Sequence, residues 1–218
     1  MELGDYLPIW SRLTQEQRTT LENATTMRIA PKGTMLHNGN ADCVGLFVVK
    51  SGQLRAFIVS DEGKEVTLYR LLERDICLFS AACMMSSIRF EVTIEAEKDS
   101  EVYIIPTEVY HSVMEESTLL ANYTSQILAS RFSEVMWLMD QILFKRFDAR
   151  LATFLLEESA IEDSDELEIT HEKIANHMGT AREVVTRMLK YFQSEGMVSL
   201  TRGAVHLLDR EKLTRMAD

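Results

Sequence analysis

The chain has 218 residues, 46% of them hydrophobic, and a formal net charge of −11. This length allows one large domain or two small ones around a real core. Apolar runs are too short for a transmembrane helix, Met1 to Tyr6 lacks a basic lead into an apolar run, and three cysteines make no disulfide framework, so the expectation is a cytosolic protein with no membrane partner.

From about Met27 to Pro106 the chain predicts short strands between turns. Pro31-Lys-Gly33, His37-Asn-Gly-Asn40, Ser51-Gly52 and Ser60-Asp-Glu-Gly-Lys64 are turn clusters. Between them lie Leu46 to Lys50, Leu54 to Val59, Glu65 to Tyr69 and Glu101 to Ile105, rich in β-branched and aromatic residues. Asp61 to Lys64 reads as a hairpin tip.

From about Glu108 to Lys145 the period changes. Neither Pro nor Gly occurs between Pro106 and Gly179. One apolar row runs Leu120, Tyr123, Ile127, Val135, Leu138, Ile142, and a second runs Leu128, Phe132, Val135, Met139, Ile142. Together they predict one long helix with a wide apolar stripe. One flank can pack on the β unit, and a second copy of the helix would cover the other. The alternative is a core helix of a monomer.

The stretch from Phe147 onward reads as a separate small unit. Asp148 is placed to cap a helix from Ala149 to Glu157, and Glu157 to Glu168 reads as an acidic, solvated loop. Ile169 to Gly196 then has the grammar of a helix-turn-helix. Thr170 is an N-cap, Ile174, Ala175 and Met178 form an apolar face, and Gly179 ends the first helix in the left-handed region. Thr180 with Glu183 is expected to form the capping box of the second helix. Val184, Val185, Met188, Leu189 and Phe192 face inward, leaving Arg182, Glu183, Thr186 and Arg187 outward near the helix start.

Those residue types suit base edges. Arginine grips guanine O6 and N7 with two bonds, and glutamate accepts from cytosine N4. Met197 to Leu208 reads as two strands around Thr201-Arg-Gly203, a wing with Arg202 at its tip. Phosphate contacts are expected at Thr170, Thr180, Lys190 and Arg202. From Lys173 onward eight Lys/Arg face five acids, so this end is basic in an acidic chain. No nucleophile–base pair, metal motif or phosphate loop appears, so no residue is assigned a catalytic or metal role. The rival reading is a ligand-binding regulatory module whose winged helix docks on protein rather than DNA.

Several motifs in order carry a resemblance. Ala30-Pro-Lys-Gly-Thr-Met-Leu-His-Asn-Gly39, Val48-Val-Lys-Ser-Gly-Gln-Leu54, Phe147-Asp-Ala-Arg-Leu-Ala152 and Thr180 to Arg187 resemble the CRP/FNR superfamily over nearly the whole chain. The resemblance implies an α+β protein. Residues 1–108 would form a β-roll sensor of the cyclic-nucleotide-binding type (a double-stranded β-helix). Residues 109–146 would form a dimerisation helix, and 147–218 a winged helix-turn-helix. It implies a homodimeric transcription regulator on double-stranded DNA, with RNA polymerase as a further partner if it activates. Arg182, Glu183 and Arg187 fall where the cyclic-AMP-receptor branch reads bases, which implies a TGTGA-like half-site. Thr186 falls where the FNR branch keeps a base-reading serine, and His171 where the family touches phosphate.

The sensor half departs from the pattern. Asp75 to Ile88 has no Gly or Glu, and Arg89 is followed by Phe90 rather than Ser, which speaks against cyclic AMP. Three cysteines speak against an iron–sulfur cluster. A haem could use His37 or His111 by residue type alone. The effector, small-molecule or redox, is unassigned. The residues expected at its pocket are Arg70, Cys77, Cys83, Met84, Arg89, Met136 and Trp137. Cys77 and Cys83 read either as a redox pair or as two small buried hydrophobes. Phe144, Phe147 and Asp148 are expected at the hinge.

Overall fold

The computed structural model describes residues 3–39, 44–78 and 91–217. The chain divides into two compact units, Met1–Val59 with Leu68–Val135, and Ser60–Thr67 with Met136–Asp218.

In the first unit, helix α1 (Gln15–Ala24) starts at a capping box. Thr14 Oγ1 accepts from Gln17 N at 3.2 Å, and Gln17 Oε1 accepts from Thr14 N at 3.1 Å. The strands β1 (Thr26–Ala30), β2 (Met35–Asn38), β3 (Leu46–Ser51), β4 (Leu54–Val59), β5 (Glu65–Leu71), β6 (Ile76–Cys77), β7 (Thr93–Ala96) and β8 (Ser100–Ile105) follow. They form two antiparallel sheets, ordered β1-β8-β3-β6 and β2-β7-β4-β5. Period-two alternation assigns β3 to two cores. Phe47 and Val49 meet Leu54, Ala56, Tyr69, Leu71 and Ile94 between the sheets. Leu46 and Val48 face the helices, against Leu21, Tyr110 and Leu120. The four predicted strands are present.

The long helix is in fact two helices, α2 (Thr107–Glu116) and α3 (Thr118–Phe144). Ser117 divides them. Its Oγ accepts from Leu120 N at 3.3 Å, an N-cap bond that starts a new helix. Tyr110 OH and Thr124 Oγ1, 2.7 Å apart, bind the two helices together, and burial pushes the Tyr110 pKa up to about 12. Leu120 is buried and Tyr123 and Ile127 pack on the same core, so the first apolar row begins as expected.

The second unit holds α4 (Phe147–Glu162), β9 (Glu166–Leu167), α5 (His171–Met178), α6 (Arg182–Ser194), β10 (Val198–Thr201), β11 (Ala204–Leu207) and α7 (Arg210–Ala217). Leu151, Leu155, Ile174, Val185, Leu189, Phe192, Val205 and Leu213 form its core. Two expectations change here. Asp148 sits inside the first turn of α4 rather than capping it; the N-cap residue is Arg146, whose guanidinium Nη2 lies 2.7 Å from Asp148 Oδ2. The acidic stretch after Glu157 is helix as far as Glu162, because Glu158 and Ser159 are buried. Asp163 then stops it in the left-handed region at φ 49°.

Candidate nucleic-acid interface

Thr170 caps α5 as its position predicts, with Oγ1 accepting from Lys173 N at 3.1 Å. Gly179 ends α5 at φ 67°, and a Cβ there would lie 2.5 Å from Val66 Cγ2. Only glycine meets both demands. The start of α6 differs from expectation. Its N-cap is Ala181, with no side-chain cap bond, so Thr180 and Glu183 form no capping box. The Thr180 amide instead bonds Ala175 O at 3.0 Å, which places it in the closure of α5.

Four contacts that have no local sequence signal hold this turn. Arg150 Nη2 donates to Met178 O at 3.0 Å. Val66 pairs with Met178 as an isolated antiparallel bridge. Thr67 Oγ1 lies 2.8 Å from His177 Nδ1, and Phe154 tilts over the same imidazole at 5.4 Å.

Helix α6 is sharply two-faced. Val185, Leu189 and Phe192 are buried, while Arg182, Glu183, Arg187 and Lys190 are exposed. Thr186 is half-buried, and its Oγ1 lies 2.9 Å from His171 Nδ1. The His171 pKa is lowered first by burial, then by the charges of Arg182 and Lys190. The wing is present too. Thr201 pairs with Ala204, and Arg202 is exposed at the tip beside Gly203, whose φ is 84°.

The structure sorts the basic residues of this end. Arg210 is held by Asp165 and by Ser159 Oγ at 2.7 Å, Lys212 lies 3.7 Å from Asp209, and Arg215 3.8 Å from Glu211. Among the described residues Arg182, Arg187, Lys190 and Arg202 have no ion-pair partner. Four unneutralised cations therefore lie on the α6 and wing surface. Polyanion binding needs such a local field more than it needs a basic chain.

A solved structure of a transcriptional regulator assigned to the CRP/FNR family, from Eubacterium rectale, matches with a TM-score of 0.95 at 54% identity. The match covers 98% of this chain and 99% of that one. The chain belongs to the CRP/FNR family. Within this CRP/FNR protein, residues 149–216 match the Crp-like helix-turn-helix domain and residues 27–117 the cyclic nucleotide-binding domain. It is 27% identical to the transcriptional activator protein anr of Pseudomonas aeruginosa, over 94% of this chain and 86% of the relative. It is 26% identical to the cyclic AMP receptor protein of Thermus thermophilus, over 96% of each. The family is one of transcription regulators rather than enzymes, and the chain is a DNA-binding transcription regulator. The rival reading, a winged helix that docks on protein, is not favoured.

Sensor-side residues are placed less completely. Cys83, Met84 and Arg89 lie outside the described residues. Cys77 is fully buried between the sheets. Arg70 Nε lies 2.7 Å from Glu97 Oε2. Met136 and Trp137 are 45% and 49% exposed on α3. His111 is exposed with Glu115 at 3.6 Å; His37 is buried, with its pKa lowered by that burial. At the expected hinge, Phe144 ends α3 in solvent and Phe147 opens α4, with only Lys145 and Arg146 between. Among the described residues no helix is long and apolar enough to cross a membrane, and no three His, Cys, Asp or Glu could hold a metal ion.

Proposed function

We propose that this CRP/FNR protein acts as a homodimer on a palindromic operator, under a signal received by the β-roll. The carrying observation is an exposed apolar row on α3. Phe132, Met136, Met139 and Leu143 are 67%, 45%, 47% and 65% exposed, and their spacing is that of heptad a and d positions. Ser125 and Ala129, also exposed, continue the row upstream with small residues. A second α3 covers such a row in register, and the two copies present two α6 helices. Two-fold symmetry then asks for half-sites about one turn apart, roughly 34 Å.

In this reading Arg182 and Arg187 grip guanines, each contributing roughly 1–3 kcal/mol of discrimination. Glu183 accepts from a cytosine amine, and Thr186 lies between them on the same face. Lys190, Arg202, Thr170, Thr180 and the free Nε2 of His171 bind phosphate. A TGTGA-like half-site suits this set, and RNA polymerase is a partner where the protein activates. The signal acts by shifting the hinge at Phe144, Phe147 and Asp148 between arrangements that match or miss the operator spacing.

The described residues fit a cyclic nucleotide poorly. A cyclic phosphate needs an available cation. Arg70 is held by Glu97, and Arg131 by Asp75 and Glu134, both at 2.9 Å. A different signal is therefore proposed, and Cys77 is a buried core residue in this reading rather than a sensor.

The experiment is binding-site selection with wild type and Glu183→Ala, with the oligomeric state measured by sedimentation. Wild type should select a palindrome as a dimer, and the variant should lose preference at one base pair of each half-site. Equal sharpness from the variant would refute the role of Glu183. A monomer selecting a single half-site would refute the dimer.

A further inference from the structure

We infer that His171 is a positioning residue that turns Thr186 to read a thymine methyl, an inference resting on α6 as the base-reading helix. Thr186 is one turn beyond Arg182 and next to Arg187, half-buried on the flank of α6 between the buried face of Val185, Leu189 and Phe192 and the exposed Glu183, Arg187 and Lys190. A threonine in a helix divides between two χ1 rotamers. Turning from one rotamer to the other changes which prong, Oγ1 or Cγ2, points at a given neighbour. Here Oγ1 is drawn to His171 Nδ1 at 2.9 Å, across the gap from α5 to α6. Cγ2 leaves the same tetrahedral Cβ in another direction, so with the hydroxyl committed to His171 the methyl is the prong left for the groove. Thr186 therefore presents carbon to the groove and keeps its hydroxyl against α5.

His171 is well placed for this role. It is the first residue of α5, directly after the N-cap Thr170, so its backbone is fixed. A hydrogen bond of ordinary net strength biases the rotamer pair about fivefold. An apolar prong in the major groove discriminates thymine by its C5-methyl. Burying one such carbon changes affinity about fourfold per half-site. Specificity at this base pair is thus determined jointly by Thr186 and by a residue fifteen positions upstream that need touch no base. Thr186 then acts by apolar contact, not as the hydrogen-bonding reader that its hydroxyl suggests.

The test uses full-length protein and the selected operator. Each thymine is replaced in turn, symmetrically in both half-sites, by deoxyuridine, which removes the C5-methyl alone. One position should weaken wild-type binding about fifteenfold, the fourfold effect of each half-site compounded. Thr186→Ser should abolish that penalty and Thr186→Val should keep it. His171→Ala, which leaves the two rotamers about equally populated, should reduce it to about sixfold while any penalty at other thymines persists. His171→Gln, whose amide can hold the same hydroxyl, should restore it. Each variant is compared by its ratio of thymine to uracil affinity, which a general loss of phosphate contact does not move. An unchanged penalty in His171→Ala, or no thymine whose penalty depends on Thr186, overturns the inference. If His171→Ala does not fold, the His171→Gln, Thr186→Ser and Thr186→Val ratios decide alone. Failure of wild type to bind any selected DNA would instead overturn the reading of α6.

Discussion

Gly179→Ala tests how the turn between α5 and α6 is held. Two costs are expected. The first is local: an L-residue in the left-handed region costs roughly 1–2 kcal/mol, and Gly179 has φ 67°. The second is steric: the new Cβ would lie 2.5 Å from Val66 Cγ2. Valine is stiff at χ1, and the Val66–Met178 bridge fixes its backbone, so relief needs real displacement. Forced overpacking of this kind costs about 1–3 kcal/mol, which gives a total of roughly 2–5 kcal/mol. Val66→Ala removes Cγ2 and with it the second cost alone. Urea unfolding of wild type, both single variants and the double variant closes a cycle. Gly179→Ala should cost roughly 1–2 kcal/mol in the Val66→Ala background and clearly more in wild type. If the two costs are equal, the tip of the β4–β5 hairpin does not bear on this turn and the reasoning fails.

The apolar row on α3 predicts that Met139→Lys, on an exposed site of the protomer, leaves monomer stability almost unchanged. It should weaken association: Met139 is 47% exposed before association, so each copy loses roughly half of the 1.5–3 kcal/mol of a full side-chain burial, and the dimer dissociation constant rises at least about tenfold. Sedimentation equilibrium reads this, and an unshifted dimer would refute the seam. Stability should also depend on pH. His37 and His171 both have folded pKa values below the ordinary 6.5, through burial and, for His171, the added charges of Arg182 and Lys190. The unfolded chain therefore binds more protons, and their contribution, present above pH about 6.5, is lost as pH falls through the folded values. Thermal unfolding at pH 7.5 and pH 5 should show a smaller drop for His37→Gln than for wild type, whereas equal drops would remove His37 from the account.

How much of this could be read from the chain depends on where each signal lies. The strands from Leu46, Leu54, Glu65 and Glu101 were readable because alternation and turn residues are local. Thr170, Gly179 and the wing were readable for the same reason. The division of the long helix was missed because neither Gly nor Pro marks it, yet Ser117 was a capping residue in plain view. Helix α1 was overlooked although Thr14-Gln-Glu-Gln17 is a capping-box pattern, since Leu21 alone of its residues is buried. Thr180 misled for a subtler reason. It has the chemistry of a cap, but its amide had already gone to Ala175 O, so the next helix began one residue later. Contacts such as His171 to Thr186, Arg150 to Met178 and Thr67 to His177 join residues 15, 28 and 110 positions apart. Each depends on the fold, and no periodicity encodes it.

The acidity of the chain needs reconciling with DNA. Exposed charges are screened beyond a Debye length of about 8 Å at physiological salt. Acids on distant parts of the protein therefore do not cancel Arg182, Arg187, Lys190 and Arg202 at their own surface. Several nearby acids are already paired with cations: Asp209, Glu211 and Asp165 lie against Lys212, Arg215 and Arg210. Glu183 is exposed among the cations themselves. A carboxylate there repels phosphate wherever the helix lies on DNA at random, and it is repaid only opposite a cytosine amine. With Arg182 and Arg187 as the proposed base readers, an acidic body and a glutamate among them both lower sequence-independent binding. They enlarge the gap between operator and bulk DNA, which is what a regulator searching a genome requires.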